Sequence, residues 1–275
     1  MGKEYALLDG EKPEVAQAIF EQYMPRFAGD ILPQQEIGRA LSLADKLDNL
    51  AATFLRGLIP TGSQDPFALR RQTIGAVNIL TDGKIHWDIR RGIEAALALL
   101  PSEEETKKTV LSQIEDFFRQ RIKAIMLDEG IAYDIIDAVL AGPVDDIYAL
   151  FLKARSMAES QLKDEADLRQ AVTRLANITK GKTGGKVDPS LFTEDVEKKL
   201  QDAFEAASKK VLPLFAAYQY GEALPVLKGL TAPINDYLDN VMVMVDDEAV
   251  KNNRISQLLA TLALFNTWGD FSKLV

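Results

Sequence analysis

The sequence predicts an all-α protein, and three observations carry that prediction. Apolar residues recur at three- and four-residue spacing along nearly the whole chain. Sustained alternation of apolar and polar residues, the mark of a half-buried strand, is nearly missing. In the segment Lys108 to Leu127, the residues Val110, Leu111, Ile114, Phe117, Phe118, Ile122 and Ile125 fall along one broad stripe. Gln113, Glu115, Gln120 and Lys123 lie off it.

Taken in order, helices are expected at Pro13 to Tyr23 and Glu36 to Leu55. Asp65 followed by Pro66 supplies an N-cap and a favoured first-turn proline for a third, running through Phe67, Leu69, Ile74 and Ile79. Then come His86 to Leu100, the striped segment, Val144 to Glu159, Glu165 to Thr179, Glu194 to Ala217 and Asp247 to Phe265. Breaks are expected at the PTGSQDP turn (Pro60 to Pro66), the acidic link Pro101 to Glu105, and the GKTGGK loop (Gly181 to Lys186). The acidic link divides the chain into residues 1–100 and 101–275, each large enough for a core of its own.

Hydrophobic residues at 47% and charged residues at 27% give the balance of a folded globular chain rather than a disordered one. With no cysteine, disulfide frameworks and thiolate metal sites are excluded, and a reducing compartment, the cytoplasm, is expected. No stretch has the run of apolar residues a membrane span needs, and the start MGKEYALLDG lacks the basic-then-apolar order of a signal peptide. Neither membrane insertion nor export is expected. The 32 basic and 41 acidic residues leave a net charge of −9, which argues against nucleic acid on average. Local charge decides phosphate contact, however, and the run Arg169 to Lys186 holds Arg169, Arg174, Lys180, Lys182 and Lys186 without one acid.

Signals for catalysis are weak. His86 is the only histidine, so a histidine metal site or a Ser/His/Asp triad would rest on a single imidazole, and a place near a helix start explains it better. The GKTGGK loop lacks the earlier glycine of a phosphate-binding loop, where Ala176 stands, and follows a helix instead of a strand. A mobile basic loop able to meet phosphates is the better reading. The clusters Asp145 with Asp146, and Asp246 with Asp247 and Glu248, precede apolar-periodic segments and read as helix starts rather than cation sites. The run Val241, Met242, Val243, Met244, Val245 has strand-like, buried composition and reads as core packing. What remains is Arg119, Arg121 and Lys123 crowded on one helix, the basic run from Arg169, and Asn177, Asn252, Asn253 and Arg254 near helix ends. These suit single-stranded RNA, and they suit a solvated surface equally.

Several strings, in order, resemble the beta subunit of bacterial glycyl-tRNA synthetase. They are EVAQAIFEQYMPRFAGDILP, LADKLDNL, PTGSQDPFALRRQTIGAVNIL, FFRQRIKAIMLDEGIAYDIIDAVLA, and NVMVMVDDEAVKNNRISQLLATLALF followed by DFSKL. The resemblance covers nearly the whole chain and points to the last part of that subunit. It implies a ligase in which an alpha subunit makes the adenylate with ATP and Mg, while the beta subunit grips tRNA for glycine. Residues 1–100 resemble the end of an HD-type helical domain, with Asp45 at the place of a metal-binding aspartate. The neighbouring His-Asp pair is missing, which argues against hydrolase activity. The later part resembles the DALR-type anticodon-binding bundle, its name-giving string represented loosely by DEAVKNNR at Asp247 to Arg254.

The resemblance implies no catalytic residue, no metal ligand and no cofactor in this chain, with glycine tRNA and the alpha subunit as partners. RNA contacts are expected from Arg119, Arg121, Lys123, Arg174, Asn177, Lys180, Lys182, Asn253 and Arg254, on helix surfaces open to an anticodon loop. Two other readings stay open: a module that docks the alpha subunit without touching RNA, motivated by the net charge, and an HD-type phosphohydrolase, motivated by LADKLD.

Overall fold

A computed structural model describes every residue except Ser63, and every side chain among them except those of Gln161 and Lys163. The described residues form thirteen α-helices and four short 3-10 turns, with no strand. Ser63, part of the expected PTGSQDP turn, lies outside the described residues. The chain divides into two compact units, one of Met1–Glu129 with Val144–Phe151, the other of Gly130–Pro143 with Leu152–Val275.

In the first unit α1 (Gly2–Leu8) packs on α2 (Pro13–Glu21). The long α3 (Glu36–Leu55) packs against α2, α4 (Leu69–Asp82), α5 (Ile89–Ala98) and α6 (Glu104–Asp128). Its stripe Leu43, Leu47, Leu50 and Phe54 is fully buried and meets Ile79 and Leu80 of α4, Ile93 and Leu97 of α5, and Ile114 and Phe118 of α6 in one core. Phe54 and Phe117 meet edge to face with centroids 5.2 Å apart. Because α6 packs on α3, α4 and α5, the unit runs past residue 100, where the acidic link suggested a division. The link itself is shorter than expected, since Glu104 and Glu105 form the first turn of α6, where carboxylates complement the helix dipole.

The helix expected from Pro66 begins three residues later, at Leu69. Ala68 takes a left-handed conformation (φ 54°), and Asp65 caps the helix from a distance. Its Oδ1 accepts the Leu69 N–H at 2.8 Å and its Oδ2 the Arg70 N–H at 3.0 Å.

The second unit holds α7 (Tyr133–Val139), the later turns of α8 (Ile147–Glu159), α9 (Ala166–Thr179), α10 (Asp195–Ala216), α11 (Leu224–Lys228), α12 (Thr231–Asn240) and α13 (Glu248–Asn266). α13 packs on α9 and α10, and α12 packs on the same two helices from another side. Trp268, Phe265 and Phe271 form a fully buried aromatic cluster, with centroids 5.6 Å and 5.8 Å from Phe271. The indole N–H of Trp268 donates to the Lys153 carbonyl at 3.2 Å. The expected core run at 241–245 is corrected. Val241 and Val243 are buried, but Met242 is 73% exposed and Met244 47% exposed, because the segment follows α12 as an extended connection with only alternate side chains turned inward.

Candidate nucleic-acid interface

The basic residues expected to meet RNA divide between the two units. Arg119, Arg121 and Lys123 lie on α6. At that spacing Arg119 and Lys123 share a face, whereas Arg121 is turned well away from both. Arg119 is half-buried and ion-paired with Asp116 at 3.7 Å, and Lys123 is half-buried.

Arg121 occupies a distinct setting. Its guanidinium lies over the Phe117 ring, 3.6 Å from the centroid. Nη1 donates to the Phe117 carbonyl at 3.3 Å and to Gln120 Oε1 at 2.9 Å. The group forms one wall of a cavity of about 380 Å³ enclosed by the end of α3 (Phe54), the connection Ile59 to Gly62, the first turn of α4 (Arg70) and the α6 face Gln113, Asp116, Phe117 and Gln120. Burial, followed by the positive charge of Arg70, lowers the Arg121 pKa, and Asp65 opposes them. Arg70 holds the connection through Nη2 to the Gly62 carbonyl at 2.7 Å and Nη1 to the Gln64 carbonyl at 3.4 Å. Arg70 was not among the expected site residues. The adjacent arginines of PFALRR, just after a turn, were the available signal.

In the second unit Arg174 is already engaged. It pairs with Asp239 of α12 and donates to Asn235 Oδ1 at 3.0 Å, which ties α9 to α12. Asn177, Lys180 and Lys182 are exposed at the end of α9 and in the following loop, as is Lys186. That loop, expected to be mobile, is held to α13 at two points. Ser256 Oγ of α13 accepts the Gly185 N–H at 2.8 Å, and the Asn253 amide exchanges two hydrogen bonds with the Asp188 backbone, at 2.7 Å and 3.0 Å. A side chain at Gly184 would come within 2.9 Å of Leu259 Cδ1, so the loop lies close on the helix.

Asn253 and Arg254, expected on an open helix surface, are buried. Asn253 serves the loop just described. Arg254 Nε meets Glu197 Oε1 at 2.9 Å, Nη1 donates to the Met242 carbonyl at 2.8 Å, and Nη2 donates to Thr193 Oγ1 at 2.7 Å. Glu197 in turn accepts the backbone N–H groups of Thr193 and Glu194 at 2.8 Å and 2.9 Å, in a capping box at the start of α10. Burial opposes ionisation of Glu197, but these hydrogen bonds outweigh it and hold the carboxyl below its usual range. A guanidinium with this many fixed partners is structural.

The carboxylate clusters are helix starts. Asp247 Oδ1 accepts from Ala249 N and Val250 N at 2.9 Å and 3.1 Å, and Asp146 Oδ1 accepts from Ala149 N at 2.8 Å. His86 Nδ1 sits 2.8 Å from Asp146 Oδ2 and its ring lies against Tyr148. Asp45 accepts from Gln22 Nε2 at 3.1 Å. Among the described residues no three His, Asp or Glu side chains converge as metal ligands would, and no helix is long and apolar enough to cross a membrane.

Residues 1–141 match the family model described as "Glycyl-tRNA synthetase beta subunit". The whole chain is similar to the glycine–tRNA ligase beta subunits of Clostridioides difficile (strain 630), at 42% identity, and of Desulforamulus reducens, at 40%. That of Shouchella clausii is 39% identical. The chain spans 40% of the length of each of these relatives.

Proposed function

The chain belongs to the glycyl-tRNA synthetase beta subunit family, and from that premise we propose that it is a tRNA-binding part of the ligase, without a catalytic centre of its own. In this reading it holds the anticodon arm of glycine tRNA, while an alpha subunit joins glycine to the tRNA using ATP and Mg, in the cytoplasm. The resemblance to HD-type and DALR-type domains belongs to the same proposal.

The observation that carries the reading beyond the family name is the acid-free run from Arg169 to Lys186, of which Lys180, Lys182 and Lys186 stand in solvent on a loop fixed to α13. With the loop backbone held at Gly185 and Asp188, its exposed lysines neutralise phosphates at less backbone ordering cost, so a chain of net charge −9 still offers RNA a local positive edge. Asn177, exposed one turn before Lys180, is the remaining donor suited to a base edge.

A second reading, a module docking the alpha subunit without RNA, is favoured by an apolar groove of about 720 Å³ between α3 and α5, walled by Leu43, Leu47, Trp87 and Leu99. One experiment separates the two. Affinity is measured for a glycine tRNA and for the same tRNA with its anticodon cytosines replaced, each at two salt concentrations. Salt-dependent binding weakened by the base changes supports tRNA recognition. A salt-insensitive complex with the alpha subunit, and no tRNA binding, supports the docking module.

A further inference from the structure

We propose that the cavity between the end of α3, the first turn of α4 and α6 is a phosphate-ester site, in which Arg70 and Arg121 clasp one phosphate of an RNA backbone. The RNA source of that phosphate rests on the tRNA-binding reading; the anion site itself rests on the geometry.

Two guanidinium groups border one cavity of about 380 Å³, large enough for a phosphodiester with the edge of a ribose. Like charges facing one space are costly unless an anion answers them. Neither arginine has an ion-pair partner among the described residues, and at Arg121 the opposing Asp65 charge has a smaller effect than the Arg70 charge. Asp116 at the rim is paired with Arg119, and both oxygens of Asp65 are held by the N–H groups that open α4.

Both arginines are also preorganised. Stacking on Phe117 and two bonds from Nη1 fix the plane of Arg121, and among the described residues its Nε and Nη2 make no hydrogen bond. Arg70 is anchored to two carbonyls of the connection, which leaves its Nε without a bond among the described residues. A fork held rigid with donors remaining matches the planar, bidentate geometry of phosphate recognition. Gln113 and Gln120 add amide groups at the rim, and Phe54, Ile59 and Pro60 give an apolar wall suited to a sugar.

The test uses a fluorescent glycine tRNA transcript, titrated at several salt concentrations with the intact protein and with Arg70→Gln, Arg121→Gln, the double variant and Arg121→Lys. Thermal unfolding checks each fold. In parallel, ³¹P line broadening of inorganic phosphate and of AMP reports the anion site directly. Each single glutamine variant is expected to weaken tRNA about tenfold and to flatten the salt slope by about one. The double variant should lose well under the product of the two, because both residues hold one phosphate. Arg121→Lys should keep the slope and lose affinity, and with Arg70→Gln it carries the test if Arg121→Gln fails to fold.

Folded variants with wild-type affinity and slope would overturn the site while leaving the tRNA reading intact. Wild-type protein that ignores tRNA, yet broadens phosphate and AMP in a way the double variant does not, would keep the anion site and remove the RNA source. No broadening and no effect of any variant would overturn the proposal.

Discussion

Arg254 Nε lies 2.9 Å from Glu197 Oε1, with the two side chains 6% and 0% exposed. Around that pair converge the start of α10, the middle of α13 and the connection after α12, through Thr193, Gln257 and the Met242 carbonyl. Tyr237 sits beside it, fully buried, with its hydroxyl pKa pushed up by burial and by the Glu197 charge. A charge inside a helical core is tolerable only when its partner and hydrogen bonds are complete. Here they are, so Arg254 fixes the bundle that presents the basic loop.

Removing one member of this pair strands the other. Arg254→Met should lower stability by about 3–5 kcal/mol, and Arg254→Met combined with Glu197→Gln should cost less than the two single changes added together. Urea unfolding of the three variants measures this. An Arg254→Met protein as stable as the wild type but weaker for tRNA would mean that the side chain faces the ligand after all.

Lys46 makes a pH-dependent prediction. The residue is 3% exposed, and its ammonium donates to the Met24 carbonyl at 2.8 Å and to Ser42 Oγ at 2.7 Å and has its pKa brought down to about 8 by burial, against a smaller opposing effect of Asp45. Unfolded, the same amine holds its proton to about 10.5. Between these values the unfolded chain binds more protons, so this residue adds stability as pH rises from 8 to 10.5 and adds none to the slope below that window. The gain is roughly 3 kcal/mol. Urea midpoints across the window should rise in the wild type relative to Lys46→Met, and parallel curves would refute the assignment.

The fold was legible where helices are long. α3 runs over the residues its periodicity indicated, Glu36–Leu55, and α8, α9, α10 and α13 begin or end within a few residues of expectation. α1, α7 and α11 are each seven residues or fewer, shorter than the window in which a 3.6-residue period can be recognised. The site was less legible. Polar residues in Asn252 to Arg254 suggested an open surface, but only Asn252 is exposed; Asn253 and Arg254 lie on the buried side of α13 and are inward-facing partners rather than exposed donors. Arg70 escaped notice because its cavity is assembled from three helices distant in sequence. Local patterning carries no record of such a meeting.

The pinned loop yields a prediction about charge alone. Lys180, Lys182 and Lys186 are exposed, so replacing all three with Gln should leave thermal unfolding nearly unchanged. If the proposed function is right, the same variant weakens glycine tRNA and flattens the slope of log affinity against log salt by about one for each phosphate it no longer neutralises. Filter binding at three salt concentrations reads both quantities. An unchanged slope would place the RNA elsewhere.

Gly38 tests how closely α2 and α3 approach. A β-carbon there would fall 1.9 Å from Glu21 Oε2 and 2.8 Å from Glu21 Cβ. The Glu21 carboxylate is buried at the start of α3, where it accepts Gln17 Nε2 at 2.8 Å and the Gln35 N–H at 3.2 Å. Helix propensity alone would make Gly38→Ala stabilising by up to about 1 kcal/mol. The geometry reverses that sign, because alanine must expel a carboxylate from the positive end of a helix, and overpacking of this kind costs about 1–3 kcal/mol. Thermal unfolding should therefore show Gly38→Ala less stable than wild type, with only the carboxylate's share of the loss recovered in Gly38→Ala combined with Glu21→Ala, because the 2.8 Å approach to the residue-21 β-carbon remains. A stabilised single variant would show that α2 does not seat its carboxylate against α3.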